Sequence, residues 1–319
     1  MTLFVPRGWG ASGVVAVIPA RDEAERLPVA LRAFRDQGSD VLVVANGCRD
    51  GTAAAARAAG GAVIETSPEP GGVGAARRRG LSLAATLAPE AGVLITSDAD
   101  CRIAPGALAV LRSALRLADA AMGRVVPEPA EFASLPAEVR RHGDLEDERD
   151  ALLSEIGAFA EPRPHDPMPR HGQCPGALMA FRAEAYRAVG GFAPLTCSED
   201  RDIARRLVLA GQRVAHPWDA VVFASCRLEG RAPGGMADTI ARRAGADLSR
   251  ETRRLEAQCR RLGRLIATLR EEGPGALSHL AAHVADGPPE PLTQGAAGGI
   301  RPTMAPARLH YGNNPRLPL

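Results

Sequence analysis

The first hundred residues alternate between short apolar runs and helical patterns, and this alternation restricts the chain to very few folds. The apolar runs contain no alternating polar residues, which is typical of strands buried on both faces of a sheet. Helices between such strands make neighbouring strands parallel, with right-handed crossovers. The predicted strands are residues 14–18, 41–44, 62–64 and 93–95. We therefore predict an α/β domain whose mostly parallel, Rossmann-like sheet is flanked by helices.

A second structured block follows a region of different character. Residues 127–171 combine a charged helical stretch with a Pro-rich segment, and further strand and helix patterns continue to residue 223. We predict that 1–126 and 127–235 are two halves of one domain. Apolar residues recurring every seven positions predict a long amphipathic helix over 236–272, in a unit of its own. The Gly- and Pro-rich stretch 273–319 is expected to be a flexible tail.

Composition excludes several classes of protein. All 39 basic residues are Arg, so Schiff-base enzymes, Walker A nucleotide-binding proteins and protein kinases, which all need Lys, are excluded. The net charge of +2 gives no reason to expect nucleic acid as a partner. No apolar run approaches the ~20 residues of a transmembrane segment. The six Cys form no C-x-x-C pair, and Ala, Arg, Gly and Pro are heavily used, so we expect a cytoplasmic protein from a GC-rich bacterium.

Candidate chemistry lies directly after the predicted strands, because ligands bind at the carboxyl ends of parallel strands. Asp98 and Asp100 follow the fourth strand. Two carboxylates at this spacing can share a hard divalent cation and its bound phosphates. The alternative is a solvated turn with no ligand, and the position after a buried strand favours the cation.

Three further groups of side chains have both a functional and a structural interpretation. Arg77 opens a helix behind the glycine-rich residues 71–74, where backbone amides could approach an anion, although a solvated basic face is the alternative. Glu199 and Asp200 lie in the first turn of a helix, where a carboxylate can serve as a general base or simply complement the helix dipole. Three histidines are candidate ligands, each more often structural: His165, His171 and His216.

Five segments, in this order and spacing, resemble the motifs of one enzyme family. They are 17–23 (VIPARDE), 43–52 (VVANGCRDGT), 74–81 (GAARRRGL), 95–100 (ITSDAD) and 185–192 (AYRAVGGF), the last followed by Glu199 and Asp200. The chain is similar in these segments to the inverting glycosyltransferases of family 2, which have the GT-A fold. The resemblance covers about residues 14–227.

The resemblance implies a role for each matching position. It makes 1–126 the donor-binding half of the domain and 127–235 the half that binds the acceptor and carries the base. Asp200 would be the general base, with Glu199 helping to position a substrate. Asp100, with Asp98, would hold Mg²⁺ or Mn²⁺, and Asp98 would also contact the ribose side of the donor. The remaining implied donor-binding residues are Pro19, Ala20, Arg21, Glu23, Asn46 and Arg77. We add the hypothesis that Arg227 and Arg231 cover the diphosphate from a loop.

The implied reaction moves a sugar from a nucleotide-diphosphate donor to a hydroxyl acceptor with inversion, assisted by a divalent cation. A retaining GT-A glycosyltransferase and a catalytically silent nucleotide-sugar-binding protein stay open as alternatives. An NAD-dependent oxidoreductase is disfavoured, because Arg77 stands where a dinucleotide fingerprint needs its third Gly. The helix over 236–272 could pair two subunits or pack on its own domain, and we favour the second. Its arginines leave peripheral attachment to the inner face of a membrane open.

Overall fold

The computed structural model describes residues 1–230 and 235–274, and the expected tail beyond Pro274 lies outside them. Eleven strands are described within these ranges: β1 (Thr2–Phe4), β2 (Val14–Ala20), β3 (Asp40–Asn46), β4 (Ala62–Thr66), β5 (Val93–Ser97), β6 (Cys101–Ile103), β7 (Ala120–Met122), β8 (Arg124–Pro127), β9 (Leu178–Arg182), β10 (Val214–Ala215) and β11 (Val221–Ala224). Ten helices are described there as well: α1 (Leu27–Arg35), α2 (Thr52–Ala58), α3 (Gly72–Leu87), α4 (Ala107–Ala114), α5 (Pro129–Ala133), α6 (Ala137–Ala160), α7 (Ala183–Ala188), α8 (Glu199–Leu209), α9 (Met236–Ala244) and α10 (Ser249–Glu272).

The central sheet has eight strands in the order β1-β4-β3-β2-β5-β9-β7-β10. Its strands β4, β3, β2 and β5 are parallel, as the four apolar runs predict. Strand β9 is antiparallel to both β5 and β7, and β1 is antiparallel to β4. A second sheet has the order β6-β11-β8. The predicted mixed α/β architecture with a mostly parallel sheet is confirmed.

Helices cover both faces of the central sheet, and β2 shows how the sequence divides between them. Val14, Ala16 and Ile18 belong to one buried cluster, which includes residues of α1, α2 and α4. Val15 and Val17 belong to a second cluster, which includes residues of α3, α7 and α8. Successive side chains of a strand point to opposite faces, so a run of aliphatic residues is what a strand buried on both faces requires.

The C-terminal helices correct two expectations. The single helix predicted over 236–272 is two helices, because the chain leaves the helical conformation between Ala244 and Ser249. The segment is also not a separate unit. The apolar face of α10 packs along α6 of the same chain, with Leu262, Ile266 and Leu269 against Ile156. Of the two alternatives for this segment, the favoured one, packing on its own domain, agrees with the structure, and the apolar face that could have paired two subunits is covered from within the chain.

Among the described helices, none has both the length and the apolar character that a membrane span requires.

Candidate functional site

Strand ends bring the predicted motifs to one edge of the sheet. Strands β2, β3 and β5 end at Ala20, Asn46 and Ser97, and their pairing places Ala20 beside Ala45 and Val17 beside Thr96. Residues that directly follow these strands therefore meet at the same edge. This is the edge at which open α/β sheets bind ligands.

Arg77 lies at the centre of a buried polar network at this edge. Its side chain is 2% exposed. Its Nη1 donates to Thr96 Oγ1 at 2.7 Å, its Nη2 to Asp98 Oδ1 at 2.6 Å and its Nε to Glu199 Oε1 at 3.1 Å. Burial alone would lower the pKa of Arg77, but the nearby carboxylates, Asp98 first, hold it above its usual value. The guanidinium thus joins the end of β5 to the start of α8.

Helix α3 can present Arg77 here because glycines let it approach its neighbours closely. A Cβ on Gly80 would lie 2.3 Å from Val17 Cγ1, and one on Gly74 would lie 2.3 Å from the carbonyl oxygen of Ala193. The amide of Gly74 donates to the carbonyl of Leu195 at 3.0 Å. The glycine-rich residues 71–74 are therefore packed against residues 193–196 of the chain, and the expected anion site at this helix start is occupied by that segment.

Asp100 belongs to a second ion network, built on Arg227. The Nη2 of Arg227 lies 2.9 Å from Asp100 Oδ2, and its two Nη atoms donate to both carboxylate oxygens of Glu23 at 2.5 and 3.0 Å. The Glu23 side chain is 6% exposed and that of Asp100 is 22% exposed. Burial, followed by the charge of Asp98, raises the pKa of Asp100 to about 6, against the opposing effect of Arg227. The single positive charge of Arg227 is shared between the carboxylates of Glu23 and Asp100, so it does not neutralise both.

The described residues of the two networks have an excess of negative charge. Six acidic side chains, Glu23, Asp98, Asp100, Glu131, Glu199 and Asp200, act on the guanidiniums of Arg77 and Arg227, and one of them, Glu131, also pairs with Arg26. The Asp98 side chain is 36% exposed, and one oxygen each of Asp98 and Asp100 lies against an arginine. Hard carboxylate oxygens in such surroundings suit Mg²⁺ or Mn²⁺. The donor set at Asp98 and Asp100 therefore fits a divalent cation.

The acidic pair at the start of α8 divides into a buried and a more accessible member. Glu199 is buried against Arg77, and burial raises the pKa of Glu199, with Arg77 opposing and Asp200 adding to the effect. Asp200 is half-buried, and its Oδ2 accepts a hydrogen bond from the amide of Gly176 at 2.9 Å. A Cβ on Gly176 would lie 2.7 Å from Arg77 Nη2 and 3.5 Å from Asp200 Oδ2, so the Arg77 network and Asp200 lie around the same glycine.

The family model described as "Glycosyl transferase family 2" matches residues 15–183, more than half of the chain. The chain belongs to glycosyl transferase family 2. It is therefore a glycosyltransferase, and the expected GT-A fold agrees with the observed sheet.

The chain is similar, at low identity, to several solved structures. A mannosyltransferase from Pyrobaculum calidifontis, solved with GDP-Man and Mn²⁺, is 20% identical with a TM-score of 0.44, over 89% of this chain and 77% of that one. Glucosyl-3-phosphoglycerate synthase from Mycobacterium tuberculosis, solved with Mn²⁺, UDP and glucosyl-3-phosphoglycerate, is 19% identical with a TM-score of 0.44, over 77% and 88%. TarS 1–349 from S. aureus, solved with UDP-GlcNAc, is 15% identical with a TM-score of 0.47, over 85% and 80%. No curated protein matches the chain significantly.

The other family-implied positions lie around the same strand ends. Pro19 and Asn46 are partly exposed, Ala20 is buried and Arg21 is exposed. The Oδ1 of Asn46 accepts a hydrogen bond from the amide of Glu69 at 2.8 Å, so this side chain also fixes the loop before α3. Arg231 lies outside the described residues.

Arg77 is held by protein at each of its three guanidinium nitrogens. These three bonds use one N–H group at each nitrogen, out of the five of a guanidinium. The expected contact of Arg77 with the base or the phosphates of a donor therefore stays a prediction.

Among the described contacts of the three predicted histidines, none is to a carboxylate of this site. His171 donates from Nε2 to the carbonyl of Met122 at 3.1 Å and accepts at Nδ1 from the amide of Gln173 at 3.1 Å. His216 contacts Asp166 through Nδ1 at 3.1 Å. Burial lowers the pKa of His165. With both ring nitrogens engaged, His171 has no position left for a metal ion.

His171 gives a clear pH prediction. Burial, with His216 nearby, lowers the pKa of His171 to about 3. Below pH 6.5 this histidine is protonated in the unfolded chain but stays neutral in the folded chain. The free energy of unfolding therefore decreases as the pH falls. Relative to His171→Gln, wild type should lose about 2 kcal/mol of unfolding free energy between pH 7 and pH 5. Urea unfolding of both proteins at the two pH values measures this, and parallel pH profiles would contradict it.

Several residues that build the site were not found from the sequence. Thr96 accepts from Arg77 and donates to the carbonyl of Val17 at 3.2 Å. The hydroxyl of Thr52 accepts from the amide of Glu23 at 2.9 Å, and the amide of Gly176 holds Asp200. Thr96 had a detectable signal, since it is a polar residue within an apolar strand. A backbone amide such as that of Gly176 leaves no signal in a sequence.

A further group of potential metal ligands lies nearby but is used by the loops themselves. Asp22, Cys48 and Asp50 have ligand atoms within 4.8 Å of one another. The Oδ1 of Asp22 accepts from the amide of Arg49 at 2.6 Å, and Asp50 accepts from the amides of Ala24 at 3.1 Å and Thr52 at 2.9 Å. These bonds tie the loop after β2 to the loop after β3.

Proposed function

We propose that the protein transfers a sugar from a nucleotide-diphosphate donor to an acceptor hydroxyl with inversion, with Asp200 as the general base. The observation that carries this proposal is the bridge from Asp98 through Arg77 to Glu199. It joins the strand-end carboxylates, where a donor would bind, to the acidic pair on α8. An inverting transfer needs donor and base in such adjacent positions, because the acceptor attacks from the face opposite the leaving group.

The donor would lie over Asp98 and Asp100, with Pro19, Ala20, Arg21 and Asn46 around the nucleotide. A diphosphate is anionic, and the described floor of the site is anionic as well, so the two repel each other unless a cation lies between them. Asp98 and Asp100 would hold that Mg²⁺ or Mn²⁺. When bound, the cation would neutralise charge that develops on the leaving diphosphate.

Asp200 would accept the proton of the acceptor hydroxyl. Its Oδ2 is held by the Gly176 amide, which fixes the carboxylate while leaving lone pairs on both oxygens for a hydroxyl. Glu199 is engaged by Arg77 and buried, so it would orient the arginine. Asp200 would be regenerated when the proton passes to solvent, and no covalent enzyme intermediate would form.

The test begins with donors, because neither the sugar nor the base is known. A panel of nucleotide sugars with Mn²⁺ should include at least one that raises Tm, since a ligand that binds only the folded state stabilises it. With that donor, NMR of the product's anomeric proton assigns the configuration. An inverted product supports the proposal. A retained product would assign a retaining transferase, and binding without turnover over any acceptor would assign a silent binding protein.

Removal of the divalent cation should have a large effect. Treatment with a chelator should lower turnover by at least about tenfold, because the leaving-group charge is then unneutralised, and added Mn²⁺ or Mg²⁺ should restore it. Asp100→Asn should raise the cation concentration needed for half-maximal activity. Asp50→Asn, in the neighbouring loop cluster, is the matched control and should leave that requirement unchanged. Full turnover in the chelator would contradict the cation assignment.

A further inference from the structure

A chain of three side chains, Cys174, His216 and Asp166, lies apart from the carboxylates assigned to transfer. The Sγ of Cys174 is 3.7 Å from His216 Nε2, and His216 Nδ1 is 3.1 Å from Asp166 Oδ2. Asp166 and His216 are almost fully buried, whereas Cys174 is partly exposed. A cysteine, an imidazole and a carboxylate in this sequence of contacts are the elements of an activated sulfur nucleophile.

The orientation of the imidazole is fixed from behind. Asp166 Oδ1 accepts from the backbone amide of His216 at 2.6 Å, while its Oδ2 faces Nδ1 and lies 3.9 Å from Arg170 Nη1. An ionised carboxylate at Nδ1 requires a proton there, so Nε2 is directed at the sulfur of Cys174. The ring of His171 meets that of His216 edge-on, with centroids 5.7 Å apart.

The charges around the imidazole favour its protonated form. Burial opposes a charged His216, but Asp166 and Cys174 outweigh it and raise the pKa of His216 to about 9. Burial likewise opposes the charge of Asp166, and the bonds from His216 outweigh it and lower the pKa of Asp166. The neighbouring His171 is neutral near pH 7 because its own pKa is lowered to about 3. A sulfur in contact with an imidazole that is itself oriented by a carboxylate is the arrangement that activates cysteine nucleophiles.

We propose that Cys174, with His216 and Asp166, is a reactive thiol site that takes hydroperoxides and small soft electrophiles. In the peroxide reaction the sulfur attacks one peroxide oxygen, an S–O bond forms and the O–O bond breaks. The departing hydroxide or alkoxide takes the proton of His216 and leaves as water or alcohol. Sulfur is oxidised by two electrons to a sulfenic acid, and the peroxide is reduced by the same two.

Modification of Cys174 reaches the transfer site through the backbone. Cys174 packs against the buried cluster that contains Met122 and Phe192. Two residues further on, the Gly176 amide holds Asp200 at 2.9 Å. An oxygen added to Sγ places a larger, polar group beside that apolar cluster, and we expect it to displace the segment from Cys174 to Gly176 and so to remove the support of Asp200. This consequence, unlike the reactivity itself, rests on the proposed function.

The reactivity is tested on the wild-type protein without any transferase assay. Iodoacetamide in limiting amount at pH 7 is followed by peptide mass spectrometry, and hydrogen peroxide with dimedone is used in a second series. Cys197 is the matched control, because it is the more exposed thiol. Cys174 should react about tenfold faster than Cys197 with both probes, since the contact with His216 activates its sulfur more than exposure favours Cys197. A rate at Cys197 equal to or above that at Cys174 would overturn the proposal.

Two variants test, one each, whether His216 activates Cys174 and whether oxidation of Cys174 stops sugar transfer. His216→Asn should slow alkylation of Cys174 about tenfold while leaving the rate at Cys197 unchanged, and continued protection of the buried Cys101 and Cys259 reports that the variant is folded. An unchanged rate at Cys174 would overturn the role of His216. For the coupling, Cys174→Ser should keep turnover and resist peroxide, whereas wild type should lose turnover as Cys174 is oxidised. Equal peroxide sensitivity of both would remove the coupling and leave the reactivity measurement standing.

Discussion

Asp200→Asn is expected to lower turnover by about 10²- to 10⁴-fold, the usual contribution of a general base. The amide has nearly the same shape as the carboxylate, and its one oxygen can still accept from the Gly176 amide, while its NH2 group replaces the Oδ1 that accepts from the Arg201 amide at 2.7 Å. It cannot accept the proton of an acceptor hydroxyl near neutral pH. Donor binding should be unchanged, because Asp200 lies on α8 and the donor is assigned to the ends of β2, β3 and β5. Steady-state turnover and the Tm shift with donor measure the two quantities separately.

A matched control for this prediction exists on the same helix. Asp202 is also in the first turn of α8, and its Oδ2 accepts from Arg206 Nε at 2.8 Å, away from Arg77. Asp202→Asn should leave turnover unchanged. Near-normal turnover in Asp200→Asn would show that another carboxylate is the base, with Glu199 the first to test. Equal losses in both variants would instead indicate damage to the helix.

The fold could be predicted from the sequence where burial leaves a pattern. The aliphatic run of β2 is buried on both faces, as its sequence predicts. Gly80 lies where α3 approaches the sheet closely, and Gly60 has a positive φ, and both situations favour glycine. Strand direction leaves no such pattern. The apolar run of β9 is as compatible with a parallel as with an antiparallel strand, and only the assembled sheet shows that it is antiparallel to β5 and β7.

The site could be predicted only in part, because its ion pairs join residues far apart in the chain. Asp98, Asp100, Glu199 and Asp200 were identified from motifs, and the structure brings the two pairs to one space through Arg77. The pairing of Glu23 with Arg227 spans 204 residues and follows from no local spacing. Burial of Arg77 was missed for the same reason. An Arg near the start of a helix is usually exposed. The three hydrogen-bond acceptors of Arg77 come together only in the folded structure.

Arg77→Met is expected to destabilise the protein by about 3–5 kcal/mol, which is the usual cost of removing one partner from a buried ion pair. Met has a similar volume, and a sulfur–aromatic contact can take the place of the cation–π contact with the ring of Phe192, whose centroid lies 5.8 Å from the guanidinium carbon. The loss therefore comes from Glu199, Asp98 and Thr96, whose polar atoms remain without the guanidinium. Urea unfolding at pH 7 measures it. Arg79→Met is the control, because Arg79 is exposed and pairs with Glu69 at the surface, where an ion pair contributes about 0–1 kcal/mol.

The pH dependence of Arg77→Met distinguishes lost charge from lost packing. In wild type, burial raises the pKa of Glu199 and Arg77 opposes this rise. Without Arg77 the folded-state pKa of Glu199 moves further above its unfolded value, so the folded variant binds more protons than the unfolded chain. Its stability then falls as pH rises through that interval, and the deficit relative to wild type should be smaller at pH 5 than at pH 7.5. A deficit independent of pH would mean that the arginine contributes packing alone, and that Asp98 and Glu199 do not depend on its charge.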